Sequence, residues 1–314
     1  MADAVSIPHD RGHQLWSFEE GPTRKLLASI DRWVGAILAD DGIEMPLMGG
    51  TNTVEAKIIA RSDGIIAGTC VIDHMLQIWA FEIDISWQAN DGKKVSKGDR
   101  IATLRGPKEA MLLMERSILN VLGHLSGIAS EAKKWSTIAP RQIACTRKTI
   151  WGLLDKYAVH VGGGLSHRLD KMDAKMVKEN DLAAMVELGD SQIARIVAYL
   201  QQVNMEETGS FLELEVQDAK EAITAAATWS ARMKDEEVAR LVVMLDNFGP
   251  EDCKSCAEEL TEMGLREAVW LEASGGITLD TLPDWKEVGI DVISTSAINR
   301  GTTPLDVSLL FEQA

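Results

Sequence analysis

Apolar positions recur with two different periods in the first part of the chain. Residues 23–40 carry apolar side chains at the helical spacing of three to four, which predicts an amphipathic helix. Residues 53–105 contain short strand-like runs separated by glycines, and Asp-Gly and Gly-Asp pairs among them predict tight hairpins in a small antiparallel module. The strand-like runs are VEAKIIA, GIIAGTCV, AFEIDISW and RIATL. Residues 107–129 return to the helical period behind a proline, so we predict a long helix that links two domains.

Beyond this helix the chain alternates between strand-like and helix-like segments. Short aliphatic runs recur about every 30 residues, each followed by polar residues and then a helical pattern. The runs are QIACTRKT, AKMVKEN, FLELEVQ, RLVVMLDN, AVWLEASGG and DVISTSA. This alternation predicts a parallel sheet covered by helices, and five or six successive units favour a closed or nearly closed barrel. In such barrels the chemistry lies at the carboxyl ends of the strands.

Charged side chains stand at the ends of several of these runs. Lys178 follows an apolar run, so we expect its backbone to be buried while its ammonium group points to the barrel mouth. Glu213 and Glu215 alternate with apolar residues and share one strand face, which is either the barrel mouth or an outer, solvated face. We favour the mouth. Asp246 directly follows a run of apolar residues, which is typical of a functional carboxylate.

Two glycine-rich turns are candidate anion sites. Ser274, Gly275 and Gly276 stand where a strand gives way to a predicted helical segment. Backbone N–H groups at such a turn bind phosphate, because glycine permits close approach and the helix dipole favours anions. The second run, VGGGLSHRL, is followed by His167 and Arg168, which suits a loop folded over an anionic ligand.

The charge distribution supports a small anionic ligand. The chain has 314 residues and a formal charge of −16, which argues against nucleic acid or an anionic membrane as a partner. Residues 141–178 are the exception, with eight Lys or Arg, three Asp or Glu and a local charge of +5. We interpret this basic island as an enclosed site for a small anion.

Cysteine and histidine patterns add little. Four cysteines are too few for a disulfide scaffold and favour a reducing compartment, and no signal peptide or membrane span is recognisable, so we expect a cytoplasmic protein. Cys253 and Cys256 lie in a predicted helix without a second ligand pair nearby, so we do not favour zinc. His9 and His13 stand in a polar leader, where they could be adventitious metal ligands.

An ordered set of motifs resembles the quinolinate phosphoribosyltransferases. The motifs are MERSILNVLGHLSGIAS, TRKT, KYAVHVGGGLSHRLDKMDAKMVKEN, ELEV, LDN, LEASGGI and PLDVSLL. They follow the family order from about residue 91 to the end, roughly two thirds of the chain. The resemblance implies an α/β fold, in which an N-terminal open-faced α/β sandwich domain precedes a (β/α) barrel of six to seven strands. We place the sandwich and the linking helix at residues 1–126 and the barrel at residues 127–314, with the last residues packing back on the first domain.

The resemblance also implies a reaction and the residues that perform it. Phosphoribosyl would pass from phosphoribosyl pyrophosphate to quinolinate, releasing pyrophosphate and CO2 and giving nicotinate mononucleotide. The implied quinolinate and pyrophosphate pocket consists of Arg147, Lys148, His167, Arg168 and Lys178. Glu215 and Asp246 would face the ribose and a Mg²⁺ ion, held directly or indirectly. The 5′-phosphate would be held by Ser274, Gly275, Gly276, Thr295 and Ser296. Family members are usually dimers, and Arg116 would reach the neighbouring subunit's site.

The chain departs from the family pattern at several positions. The N-terminal acidic signature of the family is not recognisable. Trp151 replaces a proline after TRKT in a segment about two residues short, and Asp181 replaces a histidine. Thr295 and Ser296 stand where the family has Val-Gly. These changes leave the charged core intact but bear on substrate preference.

Other functions stay open at the level of sequence. One alternative is a paralogue that acts on another aromatic acid. It could be a transferase that uses nicotinate, or one of the molybdenum-transport-associated relatives. A Schiff-base lyase would use Lys178 as an amine nucleophile, and a silent homologue would bind anions without turnover. The residues that favour a dicarboxylate substrate are Arg116, Arg147, Arg168 and Lys178. The carboxylates Glu215 and Asp246 argue against a silent homologue.

Overall fold

The structure is a computed structural model that describes residues 7–50, 52–140 and 142–311. The chain divides into two units. The six-strand unit comprises Ile138–Arg147, His167–Ala297 and the described residues up to Asp10. The four-strand unit comprises Arg11–Thr137, Lys148–Ser166 and the described residues from Ile298 onward. Arg141, part of the basic island, lies outside the described residues.

The elements follow one another in a mixed order. The helices are α1 (Arg24–Asp40), α2 (Thr69–Trp79), α3 (Lys108–Ile138), α4 (Leu153–Val161), α5 (Glu179–Ala184), α6 (Gln192–Gln202), α7 (Ala219–Asp235) and α8 (Pro250–Glu262). The strands are β1 (Trp16–Ser17), β2 (Gly21–Pro22), β3 (Thr53–Ala60), β4 (Gly64–Ile65), β5 (Asp84–Trp87), β6 (Lys94–Val95), β7 (Arg100–Pro107), β8 (Ile143–Cys145), β9 (Lys175–Val177), β10 (Leu212–Val216), β11 (Leu241–Asp246), β12 (Val269–Ser274), β13 (Val292–Thr295) and β14 (Val307–Phe311).

An antiparallel sheet of order β14-β3-β7-β5 organises the four-strand unit. The connection from β5 to β7, which contains β6, turns at Gly92 and Gly98, whose positive φ angles a side chain would strain. The predicted first helix is confirmed as α1, and the hydroxyl of Thr23 caps it by accepting from the backbone N–H of Leu26. The helix predicted at residues 107–129 is confirmed as α3, which runs on to Ile138, and its role as a link between two domains stays a prediction.

One predicted strand of this unit is largely wrong. Of the run GIIAGTCV, the structure makes only Gly64–Ile65 a strand, and α2 begins at Thr69. The reason is visible at the end of the run, because its last residue, Val71, is followed at helical spacing by Ile72, Met75 and Leu76, and all four are buried. A short apolar run alone does not distinguish a strand from a buried helix start.

A parallel sheet of order β8-β13-β12-β11-β10-β9 organises the six-strand unit. All six predicted aliphatic runs form its strands, and the predicted mixed α/β class is confirmed. The core strand β11 is buried from Leu241 to Leu245, as expected for a parallel sheet. The hydrogen-bonded ladder is open, since β8 and β9 form its two edges.

The expected helix after every strand fails in the last two repeats. After β12 the chain forms only the short 3-10 turn Leu282–Trp285, and turns follow β13. The predicted helix dipole behind Ser274–Gly276 is therefore wrong, because no α-helix begins at that turn. Anion binding there must rely on backbone N–H groups and hydroxyls alone. Within the described residues, no helix is both long and apolar enough to cross a membrane.

Candidate active site

The strand register of the six-strand unit aligns polar side chains at the carboxyl ends. Because alternate residues of a strand share a face, residues paired in register form rows across the sheet. The row at the strand ends consists of Asp246, Ser274 and Ser294. The row below it consists of Glu215, Met244 and Glu272. Carboxylates and hydroxyls thus share one face of this sheet, where the sequence predicted the chemistry.

Lys178 and Glu215 form an ion pair at this edge. Glu215 is nearly buried, whereas about half of the Lys178 side chain is exposed. Glu213, on the same face, is fully buried. The solvated-face alternative for the two glutamates is therefore wrong. The ion pair holds the lysine ammonium group at the carboxyl end of the strands, where it can also meet a ligand.

A cluster of fully or nearly buried polar groups lies within the same unit. Nε2 of His9 is 2.6 Å from Oε2 of Glu272, and Nε2 of His167 is 3.2 Å from the same oxygen. The Nε2 atom of His167 is also 3.6 Å from Oε2 of Glu213. His9 is completely buried, so its assignment to a polar leader is wrong.

Burial and charge act in opposition on the pKa values of this cluster. Burial lowers the pKa of His167, but the carboxylates of Glu272 and Glu213 outweigh it and raise the pKa to about 9. The Arg168 backbone N–H points at Nδ1 of His167 at 2.7 Å and opposes a second ring proton. Burial, reinforced by Glu272, raises the pKa of Glu213. Burial also acts to raise the pKa of Glu272, but His167 outweighs it and holds that pKa well below its usual range.

Arg168 supplies a largely buried guanidinium group. It donates to the carbonyl oxygen of Ala174 over 3.1 Å and contacts the sulfur of Met176 at 3.3 Å. Burial lowers the pKa of Arg168, and repulsion from Arg147 lowers it further, although Glu213 partly compensates. A bound dianion would offset the repulsion between these two guanidinium groups.

The turn after β12 has a backbone that only glycine fits. Gly275 has φ +110°, and a Cβ atom there would lie 2.2 Å from Oδ1 of Asn247. Asn247 itself has φ 57° and donates its backbone N–H to the carbonyl of Ser274 over 2.8 Å. Gly276 also has a positive φ, +63°, but open space around it. The turn is therefore fixed by its neighbour and keeps its N–H groups near the strand ends.

Thr295 connects this turn to the next one. Its hydroxyl donates to the carbonyl of Ile277 over 3.0 Å and accepts from the N–H of Ala297 over 3.1 Å. The Thr295 hydroxyl therefore fixes two loops, and its predicted role as a phosphate ligand stays a prediction. Ser296 follows it and is half-buried. Ser294, which the sequence reasoning missed, lies in the row with Ser274.

Two predicted site residues belong to the four-strand unit. The carbonyl of Lys148 accepts from the side-chain amide of Asn299 over 3.1 Å, which fixes the backbone at that point. Arg116 lines a pocket of about 460 Å³ together with His124 and Trp151. The Trp151 and His124 rings have centroids 4.1 Å apart. The tryptophan at the departure from the family pattern is therefore a wall of this pocket.

The basic island is not a single surface. Lys156 is fully buried in the four-strand unit and donates to the carbonyl of Ser166 over 2.7 Å. Lys175 lies over the ring of Tyr199, 5.7 Å from its centroid. Both lysines are engaged by other protein groups, so the local charge of +5 overstates the positive charge available to a ligand.

Two groups of residues have the donor chemistry for a metal ion. Glu215 and Asp246 offer carboxylate oxygens on one face, and Asp246 is only half-buried, which fits an ion that keeps water ligands such as Mg²⁺. His9, His167 and Glu272 each place a ligating atom within 4.8 Å of the other two. Their nitrogen and oxygen atoms suit a transition metal, although they also satisfy one another by hydrogen bonding.

Comparison with protein families identifies both parts of the chain. The model described as the quinolinate phosphoribosyl transferase C-terminal domain matches residues 128–310. The corresponding N-terminal domain model matches residues 44–126. Together these two matches cover most of the chain.

Individual relatives agree. A probable carboxylating nicotinate-nucleotide pyrophosphorylase of Methanothermobacter thermautotrophicus is 34% identical over 83% of this chain and 88% of its own. The human carboxylating nicotinate-nucleotide pyrophosphorylase is 34% identical over 92% of both chains. The solved nicotinate-nucleotide pyrophosphorylase from Francisella tularensis is 28% identical, with a TM-score of 0.74 over 91% of this chain and 97% of that one.

Proposed function

The chain belongs to the quinolinate phosphoribosyltransferase family, and on that premise we propose how its residues perform the family reaction. The enzyme transfers phosphoribosyl from phosphoribosyl pyrophosphate to the ring nitrogen of quinolinate. Pyrophosphate and CO2 leave, and nicotinate mononucleotide is formed. The reaction consumes one small polyanion with two carboxylates and another with a phosphate and a pyrophosphate.

The observation that carries the site assignment is the largely buried Arg168 beside Arg147. Burial lowers the pKa of Arg168 most, Arg147 lowers it further, and the carboxylates of Glu213 and Glu272 oppose this, so a bound dianion would add to these carboxylates in stabilising the guanidinium charge. We infer that these guanidinium groups bind the two carboxylates of quinolinate, since arginine makes bidentate contacts with carboxylates. His167 presents an imidazole from the adjacent position. A monocarboxylate such as nicotinate would neutralise less of this charge.

The carboxylates at the strand ends support the transfer step. As the bond from the anomeric carbon to pyrophosphate breaks, positive charge develops on the ribose, and Glu215 and Asp246 would stabilise it electrostatically. The ammonium group of Lys178, already held by Glu215, would move towards the leaving pyrophosphate as a point charge. We propose that Glu215 and Asp246 hold Mg²⁺, directly or through water. Bound there, the ion would supply neutralisation of pyrophosphate charge.

The turn after β12 is the proposed 5′-phosphate site. Gly275 and Gly276 leave room for close approach, and Ser274 lies in the row of hydroxyls with Ser294. Ser296 would contribute from the next turn, which Thr295 fixes. Loss of the ring carboxylate needs no further protein acid in this proposal. The electrons of the broken carbon–carbon bond pass to the ring carbon beside the cationic nitrogen, and that carbon then takes a proton from water.

The four-strand unit supplies a second, oligomeric proposal. Leu112 and Leu113 on α3 are about half exposed, and Arg116 follows on the same helix face. We propose that this face forms a dimer interface across which Arg116 serves the partner's site. Mixing an Arg116→Ala subunit with a Lys178→Ala subunit should then restore activity that neither variant has. Lack of restoration after confirmed subunit exchange would contradict the shared site. The role of Lys148 stays a prediction from the resemblance.

The state of the cysteines bears on the cellular location. We propose a cytoplasmic enzyme, supported by four cysteines that are all free thiols in the structure. Fractionation of cells that produce the tagged protein would test this.

The experiment for the reaction follows product directly. Purified protein with Mg²⁺ and phosphoribosyl pyrophosphate should release CO2 and form nicotinate mononucleotide from quinolinate and not from nicotinate. No product from quinolinate with folded protein would overturn the reaction. Product from nicotinate would overturn the dicarboxylate choice.

Two substitutions test the site. Arg147→Ala and Lys178→Ala should each lower kcat/KM for quinolinate at least about a hundredfold, because each removes a charge that contacts a polyanion. Arg240→Ala, which removes a partly buried arginine that pairs with Glu267 and stacks on Trp270, is the control and should change little. Unchanged kinetics in both site variants would mean that the pocket is misassigned.

A further inference from the structure

His9 and Glu272 are far apart in sequence but in contact in the structure. It lies 263 positions before Glu272 in sequence, and Nε2 of its ring is 2.6 Å from that carboxylate. The side chain is fully buried, with the ring of Phe211 5.2 Å away between centroids. A ring nitrogen at this distance from a carboxylate oxygen must donate, so the proton of this hydrogen bond lies on Nε2 of His9.

The same residue holds His167 at two points. The carbonyl oxygen of His9 accepts the backbone N–H of His167 over 3.0 Å. The Glu272 oxygen that accepts from His9 also lies 3.2 Å from Nε2 of His167. In addition, the edge of one ring meets the face of the other, with centroids 4.7 Å apart. Main chain and side chain of His167 are therefore both fixed by one residue.

His167 requires such support because of its backbone. Its φ angle is 54°, in the left-handed region that a residue with a side chain rarely adopts. Strained conformations persist where the surroundings over-determine them. The bond to His9 is one such determinant, and the ring position set through Glu272 is another.

We propose that His9 is a positioning residue that holds the imidazole of His167 in the substrate pocket. The proposal rests on the proposed function in so far as His167 contacts quinolinate. His9 would thus contribute to the pocket indirectly, because it holds the His167 ring and does not itself contact the substrate. Loss of the His9 side chain removes one donor from Oε2 of Glu272 and the ring contact with His167, which allows the His167 ring to rotate, whereas the main-chain bond between the two residues stays.

The kinetic test compares His9→Ala, His9→Gln and His13→Ala. In His9→Ala, KM for quinolinate should rise about tenfold or more while KM for phosphoribosyl pyrophosphate changes little, because a bond to a charged group is lost. His9→Gln places an amide N–H near the position of Nε2 and should recover most of the affinity. His13→Ala removes an exposed histidine from the same segment and is the matched control. Equal rises in both KM values, or no rise, would overturn the proposal.

A spectroscopic test needs no turnover. The chain has six histidines, so their ring ¹⁵N signals can be assigned by substitution. The ring nitrogen signals of His167 should shift in His9→Ala and return towards the wild-type values in His9→Gln. Should wild type fail to use quinolinate while these shifts occur, the positioning role stands and the proposed reaction falls. Turnover of quinolinate with unchanged His167 signals would overturn the positioning role alone.

One control addresses a metal ion in the same cluster. Zinc content of the purified protein should be far below one equivalent, with no change in activity on adding a chelator and returning Mg²⁺. One equivalent of zinc that is lost in His9→Ala would overturn the hydrogen-bonding role in favour of a metal site. Should His9→Ala fail to fold, His9→Gln and the ring signals decide the question.

Discussion

Single residues of the six-strand unit carry charge in places where burial alone would exclude it. Glu213 and Glu272 are fully buried, and Arg168 is only 9% exposed. Such groups persist because each lies beside an opposite charge, and removing one leaves another uncompensated. These residues therefore form a charge network, in which a substitution at one residue acts on its neighbours.

Arg168→Lys tests the need for a planar guanidinium group at this position. Lysine keeps the charge but cannot contact Ala174, Met176 and a carboxylate at once. We expect KM for quinolinate to rise about tenfold or more, measured by steady-state kinetics. Arg232→Lys on α7 is a control, since that arginine also bonds backbone carbonyls but outside the proposed site. An unchanged KM in Arg168→Lys would remove this residue from the pocket.

Gly275→Ala tests the turn proposed to bind phosphate. The added Cβ meets Asn247 at 2.2 Å, so the turn must shift and its N–H groups with it. KM for phosphoribosyl pyrophosphate should rise more than tenfold, roughly the effect of losing one good hydrogen bond to a charged group. Gly276 also has a positive φ, +63°, but open space around it, so Gly276→Ala should raise this KM less. The reverse order of the two effects would show that phosphate binds elsewhere.

The sequence predicted some site residues for reasons that residue patterns contain. Lys178, Glu215 and Asp246 each interrupt an apolar run, and that interruption is visible without coordinates. Ser294 and Glu272 could have been found by counting two residues from the predicted strand ends, since alternate residues share a face. His9 could not, because nothing local to residues 7–13 indicates a partner 263 positions away.

At the scale of elements, prediction succeeded where periodicity is long and failed where it is short. The strands β8 to β13 and the helices α1 and α3 follow from repeated patterns. The same pattern predicts helices after β12 and β13, where the structure has turns. The segments after β12 and β13 have little periodicity of their own, and their conformation depends on tertiary contacts such as the Thr295 hydroxyl bond to Ile277.

The start of α4 depends on one buried carboxylate. Asp155 accepts from the backbone N–H of Ile150 over 2.7 Å and from Nε2 of His124 over 3.0 Å. Asp155→Ala should lower the free energy of unfolding by about 3 kcal/mol, because several donors lose their partner at once. Urea denaturation measures this. Glu251→Ala, an exposed acid in the first turn of α8, should cost less than about 1 kcal/mol. Equal costs would contradict the anchoring role.

For the whole molecule, His167 links stability to pH. Its pKa of about 9 exceeds the ordinary value of 6.5, so the folded chain binds that proton more tightly than the unfolded chain. The stabilisation is complete below about pH 6.5 and is lost as pH rises towards 9, at most about 3 kcal/mol. The raised pKa of Glu213 also makes stability fall as pH rises. That fall begins at a lower pH, because the ordinary pKa of a glutamate is lower than that of a histidine.

Urea denaturation between pH 6 and 9.5 measures this dependence. The free energy of unfolding should fall with pH in the wild type, and His167→Asn should lose most of that slope. His13→Ala, which removes an exposed histidine, should keep it. A slope that is identical in His167→Asn and the wild type would show that other groups cause it.

The order in which the sheet of the four-strand unit is assembled has a consequence for synthesis. Its edge strand β14 ends at Phe311 and pairs with β3, which begins at Thr53. The ribosome therefore synthesises residues 61–306 before β14, the second partner of β3 besides β7, is made. Until then β3 exposes an unpaired edge, which is a site for aggregation. Production of this protein should accordingly depend on chaperones that bind nascent chains, and a variant that lacks β14 would leave that edge of β3 unpaired.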